Sequence, residues 1–319
     1  MSKAIAVIPN PARLGAGIVL LLLGCLGCMN LDSFLFAPTV ADADEDLFGA
    51  AMAIPTALKQ EIKSAIVTDD GITVNAWALV HDPNNPQDTT FRGRHSTGIL
   101  YCHGNNQNLK RFALRAQALW AMGYTVLAFD YRGYGKTPGV PSEEGTYRDG
   151  RAVRAYLVDQ ALGLGIEPSR LALYGYSLGA AVCSQLAVDE PTKALILEAP
   201  FASVAALVGD DTALGLPQGG FTHARYDTQG KIGAHGGGLL VLHGIDDYYL
   251  MVRYGRQVAK AAVRAEPNIF IAVPGADHET VPCAIKTGRS PTPGGCVGGI
   301  DPNYIDWVSS FIDGIIPPA

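Results

Sequence analysis

Apolar residues recur at two alternating spacings along the chain from about residue 60 onward. Nearly continuous apolar runs predict buried strands at residues 98–102, 124–130, 171–174, 194–198, 239–243 and 269–273. Apolar residues at helical spacing predict helices at residues 108–122, 145–162, 178–188, 250–264 and 302–315. Strands that alternate with helices in this way are typical of a parallel sheet with helices on both faces.

The same pattern predicts one domain over residues 60–319, because no internal repeat or linker interrupts it. Residues 61–67 and 72–80 alternate between apolar and polar positions, and the turn sequence at 68–71 predicts that they form an antiparallel hairpin. The Gly-rich stretch at 202–238 breaks the strand–helix alternation. We expect it to be a short lid insertion over the carboxyl ends of the strands.

Composition limits the classes of protein that this chain can be. Its 319 residues are 48% hydrophobic and 17% charged, which suits a folded domain with a full core. The 24 Lys and Arg residues are outnumbered by 30 Asp and Glu and form no cluster, which argues against a nucleic-acid partner. Outside Cys25 and Cys28, no Cys or His pair has zinc-ligand spacing. The sequence therefore indicates neither a metal nor another cofactor.

The most informative segment is Gly175-Tyr176-Ser177-Leu178-Gly179, a G-x-S-x-G pattern between a predicted strand and an Ala-rich predicted helix. A serine on such a sharp turn projects its hydroxyl from the sheet, while the flanking glycines let the two backbones approach closely. The start of the helix directs N–H groups at developing negative charge. We therefore predict that Ser177 is a nucleophile.

A serine nucleophile requires a base, and the base requires an orienting acid. His278 directly follows the last predicted strand and is our candidate base. Asp247 follows the strand at 239–243 and is our candidate acid, with Asp246 as the alternative. The chain order Ser, Asp, His is the order expected for a triad on this type of sheet.

An oxyanion hole requires two backbone N–H donors. We predict that Leu178, the residue after the nucleophile, supplies one, and that Asn105, in the loop after the strand at 98–102, supplies the other. His103 precedes this loop, and we expect it to stabilise the loop by hydrogen bonds rather than to act as a base.

Five segments resemble the α/β-hydrolase superfamily in order along about residues 60–315: residues 103–106, 129–135, 175–179, 243–247 and 276–278. They are most similar to the serine aminopeptidase-like and dienelactone hydrolase-like branch. The resemblance implies an α/β-hydrolase fold, with about eight mostly parallel strands, helices on both faces and a short lid. It also implies that Asp130 and Arg132 belong to a structural turn and not to a substrate site.

These residues predict a serine hydrolase that cleaves esters or related acyl bonds of a small-molecule substrate through an acyl-enzyme. Amide, peptide and thioester hydrolysis remain alternatives on the same residues, and a small-acyl ester is the default substrate. A second hypothesis is a non-catalytic envelope lipoprotein that retains the fold. Binding alone does not require Ser, Asp and His in this order, so the first hypothesis is favoured.

The N-terminus predicts export. Lys3 and Arg13 precede an apolar run at 14–23, whose length of about 10 residues suits a signal peptide and is too short to span a bilayer. The sequence around Cys25 resembles the lipobox of bacterial lipoproteins, and Cys28 is a poorer match. We predict a lipoprotein signal peptide at 1–24, a tether at 25–59, and a lipid anchor to a membrane of the cell envelope. An ordinary signal peptide or an uncleaved anchor is the alternative.

Export also bears on the remaining cysteines. Cys283 and Cys296 flank a loop rich in Pro and Gly and are candidates for a disulfide in an oxidising compartment, with free thiols as the alternative. Cys102 and Cys183 lie in a predicted strand and a predicted helix, where we expect them to be buried as small apolar residues.

Overall fold

A mixed sheet lies at the centre of the protein. The computed structural model describes residues 35–40, 58–81, 93–210, 223–286, 296 and 298–319. Within these ranges the strands are β1 (Lys59–Ile62), β2 (Ala76–Leu79), β3 (Gly98–Cys102), β4 (Thr125–Phe129), β5 (Leu171–Tyr176), β6 (Ala194–Glu198), β7 (Gly238–Gly244) and β8 (Asn268–Val273). Their order across the sheet is β1-β2-β4-β3-β5-β6-β7-β8.

The sheet is parallel except at one edge. β2 pairs antiparallel with both β1 and β4, whereas every pairing from β4 through β8 is parallel. The strands of the parallel core are buried throughout, while the edge strand β8 leaves Ile269 39% exposed. The predicted fold class, an eight-stranded and mostly parallel sheet flanked by helices, is confirmed.

Helices cover both faces of this sheet. They are α1 (Leu109–Ala121), α2 (Glu143–Val158), α3 (Leu178–Asp189), α4 (Val204–Gly209), α5 (Thr228–Lys231), α6 (Val252–Ala261) and α7 (Pro302–Ile315). The core cluster on one face includes residues of α2, α3, α4 and α6, and the cluster on the other face includes residues of α1 and α7. Of the helices in the described ranges, none combines the length and the apolar character that a membrane crossing needs.

Local hydrogen bonds explain where some elements end. α2 stops at Val158, earlier than the predicted 162, because the Asp159 carboxylate accepts the N–H groups of Ala161 (2.7 Å) and Leu162 (2.9 Å). A short polar side chain that bonds the backbone in this way competes with the helix.

The predicted hairpin at residues 61–80 is present, but its regular strands are shorter than the apolar pattern suggests. In the β1–β2 ladder, Lys59 is paired with Leu79 at one end and Ile62 with Ala76 at the other. Closer to the turn, the two segments meet again at an isolated bridge between Val67 and Thr73. The Thr68 hydroxyl accepts the N–H of Ile72 at 2.8 Å, so a side chain replaces part of the ladder near the turn.

Residues 35–40, which we call the strap, lie on the domain although they fall inside the predicted tether. The strap forms parallel bridges from Pro38 to Gln107 and from Val40 to Gly135. Phe36 is buried, which explains why this part of the segment packs on the domain.

The stretch predicted as a lid is described at residues 202–210 and 223–238, where it contains α4 and α5, and residues 211–222 lie outside the described ranges. Val204 and Leu207 of α4 and Tyr226 line a cavity at the end of the parallel strands. The role of this stretch as a lid stays a prediction.

Candidate active site

Ser177 occupies a sharp turn between β5 and α3. Its backbone has φ 54° and ψ −116°, a conformation that L-residues rarely adopt. A Cβ on Gly175 would lie 2.3 Å from the carbonyl oxygen of Gly179, and one on Gly179 would lie 2.0 Å from the carbonyl oxygen of Cys102. Both positions therefore require glycine. The Ser177 side chain does not cap α3, so its hydroxyl remains available to the cavity that it lines.

His278 lies between the other two predicted residues. Its Nε2 is 3.1 Å from Ser177 Oγ, and its Nδ1 is 2.7 Å from Asp247 Oδ2. The loops after β5, β7 and β8 thus bring together three side chains that are far apart in the sequence. With a proton on Nδ1 directed at the carboxylate, Nε2 is free to accept the hydroxyl proton.

Asp247 is buried and held from two sides. Its Oδ1 accepts the backbone N–H groups of Tyr249 (3.0 Å) and Leu250 (2.8 Å). Its Oδ2 faces His278 and also lies 3.3 Å from Nε2 of the fully buried His243. That His243 nitrogen is 2.7 Å from the Leu250 carbonyl oxygen, so both of its neighbours are acceptors and it carries the proton. The alternative acid, Asp246, is exposed to solvent.

The pKa values of the two partners move in opposite directions. Burial alone would lower the pKa of His278, but the charge of Asp247 and the hydrogen bond to it outweigh burial, so the pKa of His278 lies above its ordinary value. Burial alone would raise the pKa of Asp247, yet the charge of His278 and the bonds from His243 and His278 hold it well below the ordinary range. The carboxylate is therefore ionised at neutral pH.

A buried ionic pair supports the loop that carries His278. Arg115 binds the Glu198 carboxylate through two hydrogen bonds of 2.9 and 2.6 Å, and both side chains are buried. Arg115 also donates to the Glu279 carbonyl oxygen (3.1 Å) and lies 3.7 Å from the ring centroid of Tyr176. The Tyr176 hydroxyl donates to the His278 carbonyl oxygen at 3.1 Å. Two side chains thus hold the consecutive backbone carbonyl groups of His278 and Glu279.

Sequence reasoning missed His243 and Arg115 as parts of the site. Arg115 lies three residues after Phe112 and four before Leu119, so it falls on the apolar face of its helix. A charge on that face is a signal from which a buried partner could have been predicted. His243 ends an apolar strand and carries a comparable signal.

The two predicted oxyanion donors lie beside Ser177. Leu178 is the first residue of α3, and Asn105 lies in the loop after β3; both line the same cavity as Ser177. The Asn105 side-chain oxygen accepts from the N–H groups of Ala37 (2.9 Å) and Asn106 (2.8 Å) and from the Tyr134 hydroxyl (2.7 Å). The side chain of Asn105 therefore holds the loop, and its predicted role as a donor rests on its backbone N–H.

His103 is buried under this loop. Its Nδ1 is 2.7 Å from the Gly104 carbonyl oxygen, and its Nε2 is 3.3 Å from Asp130 Oδ1. Asp130 also accepts the N–H of Leu109 at 2.7 Å. These contacts agree with a structural role for His103 and Asp130.

A cavity of about 370 Å³ opens beside Ser177. One part of its lining, which we call the apolar wall, consists of Leu35, Phe201, Val204, Leu207 and Tyr226. These residues belong to or pack against the core cluster on the α2–α3 face of the sheet. Arg111 and Glu279, which form an ion pair, line another part of the cavity next to His278. The cavity thus offers both an apolar and a polar surface to a ligand.

Four of the cysteines considered in the sequence analysis lie within the described residues. Cys283 and Cys296 form a disulfide that closes the loop between them. Cys102 and Cys183 are buried free thiols, as expected. Cys25 and Cys28 lie outside the described residues, so their lipidation stays a prediction.

Comparisons with known proteins agree with the fold described above. The structure resembles an esterase of Pyrococcus furiosus with a TM-score of 0.61 over 88% of this chain and 98% of that one, at 15% identity. It resembles a puromycin-hydrolysing peptidase of Mycobacterium tuberculosis with a TM-score of 0.59 over 83% and 41% of the two chains, at 14% identity. At such low identity these likenesses show the fold alone, which is that of an α/β-hydrolase.

Sequence similarity defines the family more narrowly. The profile of the family described as serine aminopeptidase, S33, matches residues 93–219. An uncharacterised protein of Mycobacterium tuberculosis strain H37Rv is 36% identical over 214 residues, which cover 67% of this chain and 70% of that protein. The chain therefore belongs to the serine aminopeptidase S33 family of the α/β-hydrolase superfamily.

Proposed function

We propose that the protein is a serine hydrolase that cleaves esters of small acyl groups through an acyl-enzyme, with Ser177 as nucleophile, His278 as base and Asp247 as the acid that orients His278. The observation that carries the proposal is one imidazole within hydrogen-bond distance of both the Ser177 hydroxyl (3.1 Å) and the Asp247 carboxylate (2.7 Å).

In the acylation step, Ser177 Oγ attacks the ester carbonyl carbon while His278 Nε2 takes the hydroxyl proton. The carbonyl π electrons move onto oxygen, and the resulting anion is stabilised by the N–H groups of Leu178 and Asn105. When the tetrahedral intermediate collapses, the bond to the alcohol oxygen breaks and His278 returns its proton to that oxygen. The acyl group remains on Ser177.

Deacylation repeats these steps with water as the nucleophile. His278 takes a proton from water as the water oxygen attacks the acyl carbon, and it then gives that proton to Ser177 Oγ as the carboxylic acid leaves. Asp247 remains ionised throughout, because its pKa is held well below the ordinary range. It stabilises the imidazolium that forms in each half-reaction.

The volume and lining of the cavity and the structural likeness to an esterase support a small acyl substrate. Peptide hydrolysis is the second candidate, because the family is described as serine aminopeptidase. An aminopeptidase must accommodate the ammonium group of its substrate. Among the described residues that line the cavity, Glu279 is the one acidic side chain, and its carboxylate is already paired with Arg111. We therefore place ester hydrolysis first.

We also propose that the chain is exported and attached to an envelope membrane through lipidated Cys25, with Cys28 as the alternative. The support is the positive flank, the short apolar run and the small residue before each cysteine. Mass spectrometry of the mature N-terminus tests this proposal. A diacylated Cys25 is the expected result, and an intact Met1 in the membrane fraction would contradict it.

The catalytic proposal is tested by measuring turnover of p-nitrophenyl acetate and of aminoacyl p-nitroanilides. We expect the wild-type protein to hydrolyse the ester with higher kcat/KM than the anilides, and Ser177→Ala to lose activity on both. Preference for the anilides would favour the peptidase candidate. Undiminished activity in Ser177→Ala would reject the mechanism.

A further inference from the structure

The strap is fastened to the loop that follows β3. The N–H of Gln107 donates to the Ala37 carbonyl oxygen at 2.7 Å, and the N–H of Thr39 donates to the Gln107 carbonyl oxygen at 2.8 Å. The N–H of Gly135 donates to the Thr39 carbonyl oxygen at 3.0 Å. The strap therefore pairs with two loops at the edge of the site in the manner of an added strand.

These bonds hold a strained stretch of backbone. Asn106 has φ 84° and Gln107 has φ 61°, which are left-handed conformations that residues other than glycine rarely adopt. Such conformations persist only where the surroundings fix them. The strap forms hydrogen bonds with both the N–H and the carbonyl oxygen of Gln107. The N–H of Ala37 also donates to the Asn105 side-chain oxygen at 2.9 Å.

The strap also contributes side chains to the site. Phe36 is buried, with its ring centroid 6.2 Å from that of Tyr226, and it anchors the segment. The residues on either side of it, Leu35 and Ala37, line the cavity next to Ser177. Leu35 packs against the same core cluster as Phe201 and Leu207, so the strap completes the apolar wall.

The chemistry of the reaction assigns the two surfaces of the cavity to two parts of an ester. The leaving alcohol receives its proton from His278, so it lies on the side of the His278 loop, where Arg111 and Glu279 form their ion pair. The acyl group stays on Ser177, and the apolar wall is the surface that favours an alkyl chain.

We propose that the strap sets the acyl-chain preference of the enzyme, with Leu35 as a specificity-determining residue. This inference rests on the proposed ester hydrolysis at Ser177. Leu35 belongs to a segment that precedes the strand–helix pattern of the domain in the sequence, yet it lines the cavity. Its side chain fills space that a longer acyl chain needs. Shortening Leu35 opens that space, and a bulkier residue closes it.

The test compares kcat/KM of the full-length protein for p-nitrophenyl acetate, butyrate, octanoate and laurate. One or two methylene groups in an apolar pocket change discrimination by about tenfold or more. We expect Leu35→Ala to raise the ratio of octanoate to acetate activity about tenfold, and Leu35→Trp to lower it about tenfold. Thermal unfolding of each variant is measured beside the kinetics, so that a loss of fold is recognised.

Val40→Ala is the matched control, because Val40 belongs to the same strap but is 77% exposed. We expect its chain-length profile to match that of the wild-type protein. Folded Leu35 variants with an unchanged profile would overturn the role of Leu35 while leaving the proposed hydrolase intact. Absence of Ser177-dependent ester turnover in the wild-type protein would overturn both. If either Leu35 variant fails to fold, the other decides the question.

Discussion

The two sides of the cavity are built in different ways. On the side proposed to be catalytic, which we call the catalytic side, partly buried hydrogen bonds join Ser177, Asp247 and His278. The buried pair of Arg115 with Glu198 supports the loop that carries His278. The apolar wall is instead assembled by side-chain packing from the strap and from the chain after β6. Hydrogen bonds require a particular distance and direction between two groups. Apolar packing mainly requires that the total side-chain volume is kept, so it tolerates more substitutions. We infer that the catalytic side tolerates little change and that the apolar wall can vary its selectivity.

The largest expected effect tests the catalytic side at Asp247. We expect Asp247→Asn to lower kcat by about 10⁴-fold, because the amide no longer stabilises the imidazolium and favours the wrong tautomer of His278. The measurement is steady-state ester hydrolysis.

Asp246→Asn is the matched control, since Asp246 is the adjacent residue, has the same charge and is exposed. We expect wild-type kcat for this variant. A larger loss in Asp246→Asn than in Asp247→Asn would reverse the assignment of the acid.

The next largest effect is expected at Gly179, in the turn that carries the proposed nucleophile. Gly179→Ala puts a methyl group against the Cys102 carbonyl oxygen. We expect this change to lower the free energy of unfolding by about 2 kcal/mol, as overpacking typically does. Chemical denaturation measures the change.

The comparison variant is Gly314→Ala in α7, where an added Cβ meets no atom within 4 Å. We expect that protein to be unchanged or more stable by about 0.5 kcal/mol, because alanine favours helices. Equal destabilisation by both substitutions would contradict the requirement for glycine at the nucleophile turn.

A smaller effect is expected at Tyr176. Tyr176→Phe keeps the ring against Arg115 and removes the hydrogen bond to the His278 carbonyl oxygen. A bond of this kind is worth about 1 kcal/mol, so we expect kcat to fall about fivefold with little change in KM. Tyr248→Phe, at an exposed tyrosine, serves as the control. A change in KM alone would assign Tyr176 to substrate binding instead of to positioning.

The smallest effect concerns pH. His278 must be neutral to act as the proposed base, so we expect kcat/KM to fall as pH decreases through its pKa, which lies above the ordinary value. The negative charge of Glu279 helps to raise that pKa, and we expect Glu279→Gln to move the acid limb of the profile to lower pH. Glu167→Gln, at an exposed position, is expected to leave the limb in place. A shift to higher pH in Glu279→Gln would contradict the stated electrostatics.

The contrast between the two sides also explains which parts of the site could be predicted from the sequence and which could not. Ser177, Asp247 and His278 each follow a strong apolar run, so short motifs predicted them and the strands before them. The strap carries no such pattern, and its bonds join residues far apart in the sequence, such as Ala37 with Asn105 and Thr39 with Gly135. Arg115 and Glu198 pair across 83 positions, and the sequence analysis did not predict this pair. Contacts of this kind follow from the completed fold and not from local periodicity.

The central claim is that Ser177 is activated by His278. Its most direct measurement is reaction of the protein with a fluorophosphonate probe, followed by mass mapping of the labelled peptide. The account predicts a single adduct on Ser177, formed by the wild-type protein, absent in Ser177→Ala and formed far more slowly in His278→Ala. An adduct on another residue, or equally fast labelling without His278, would contradict it.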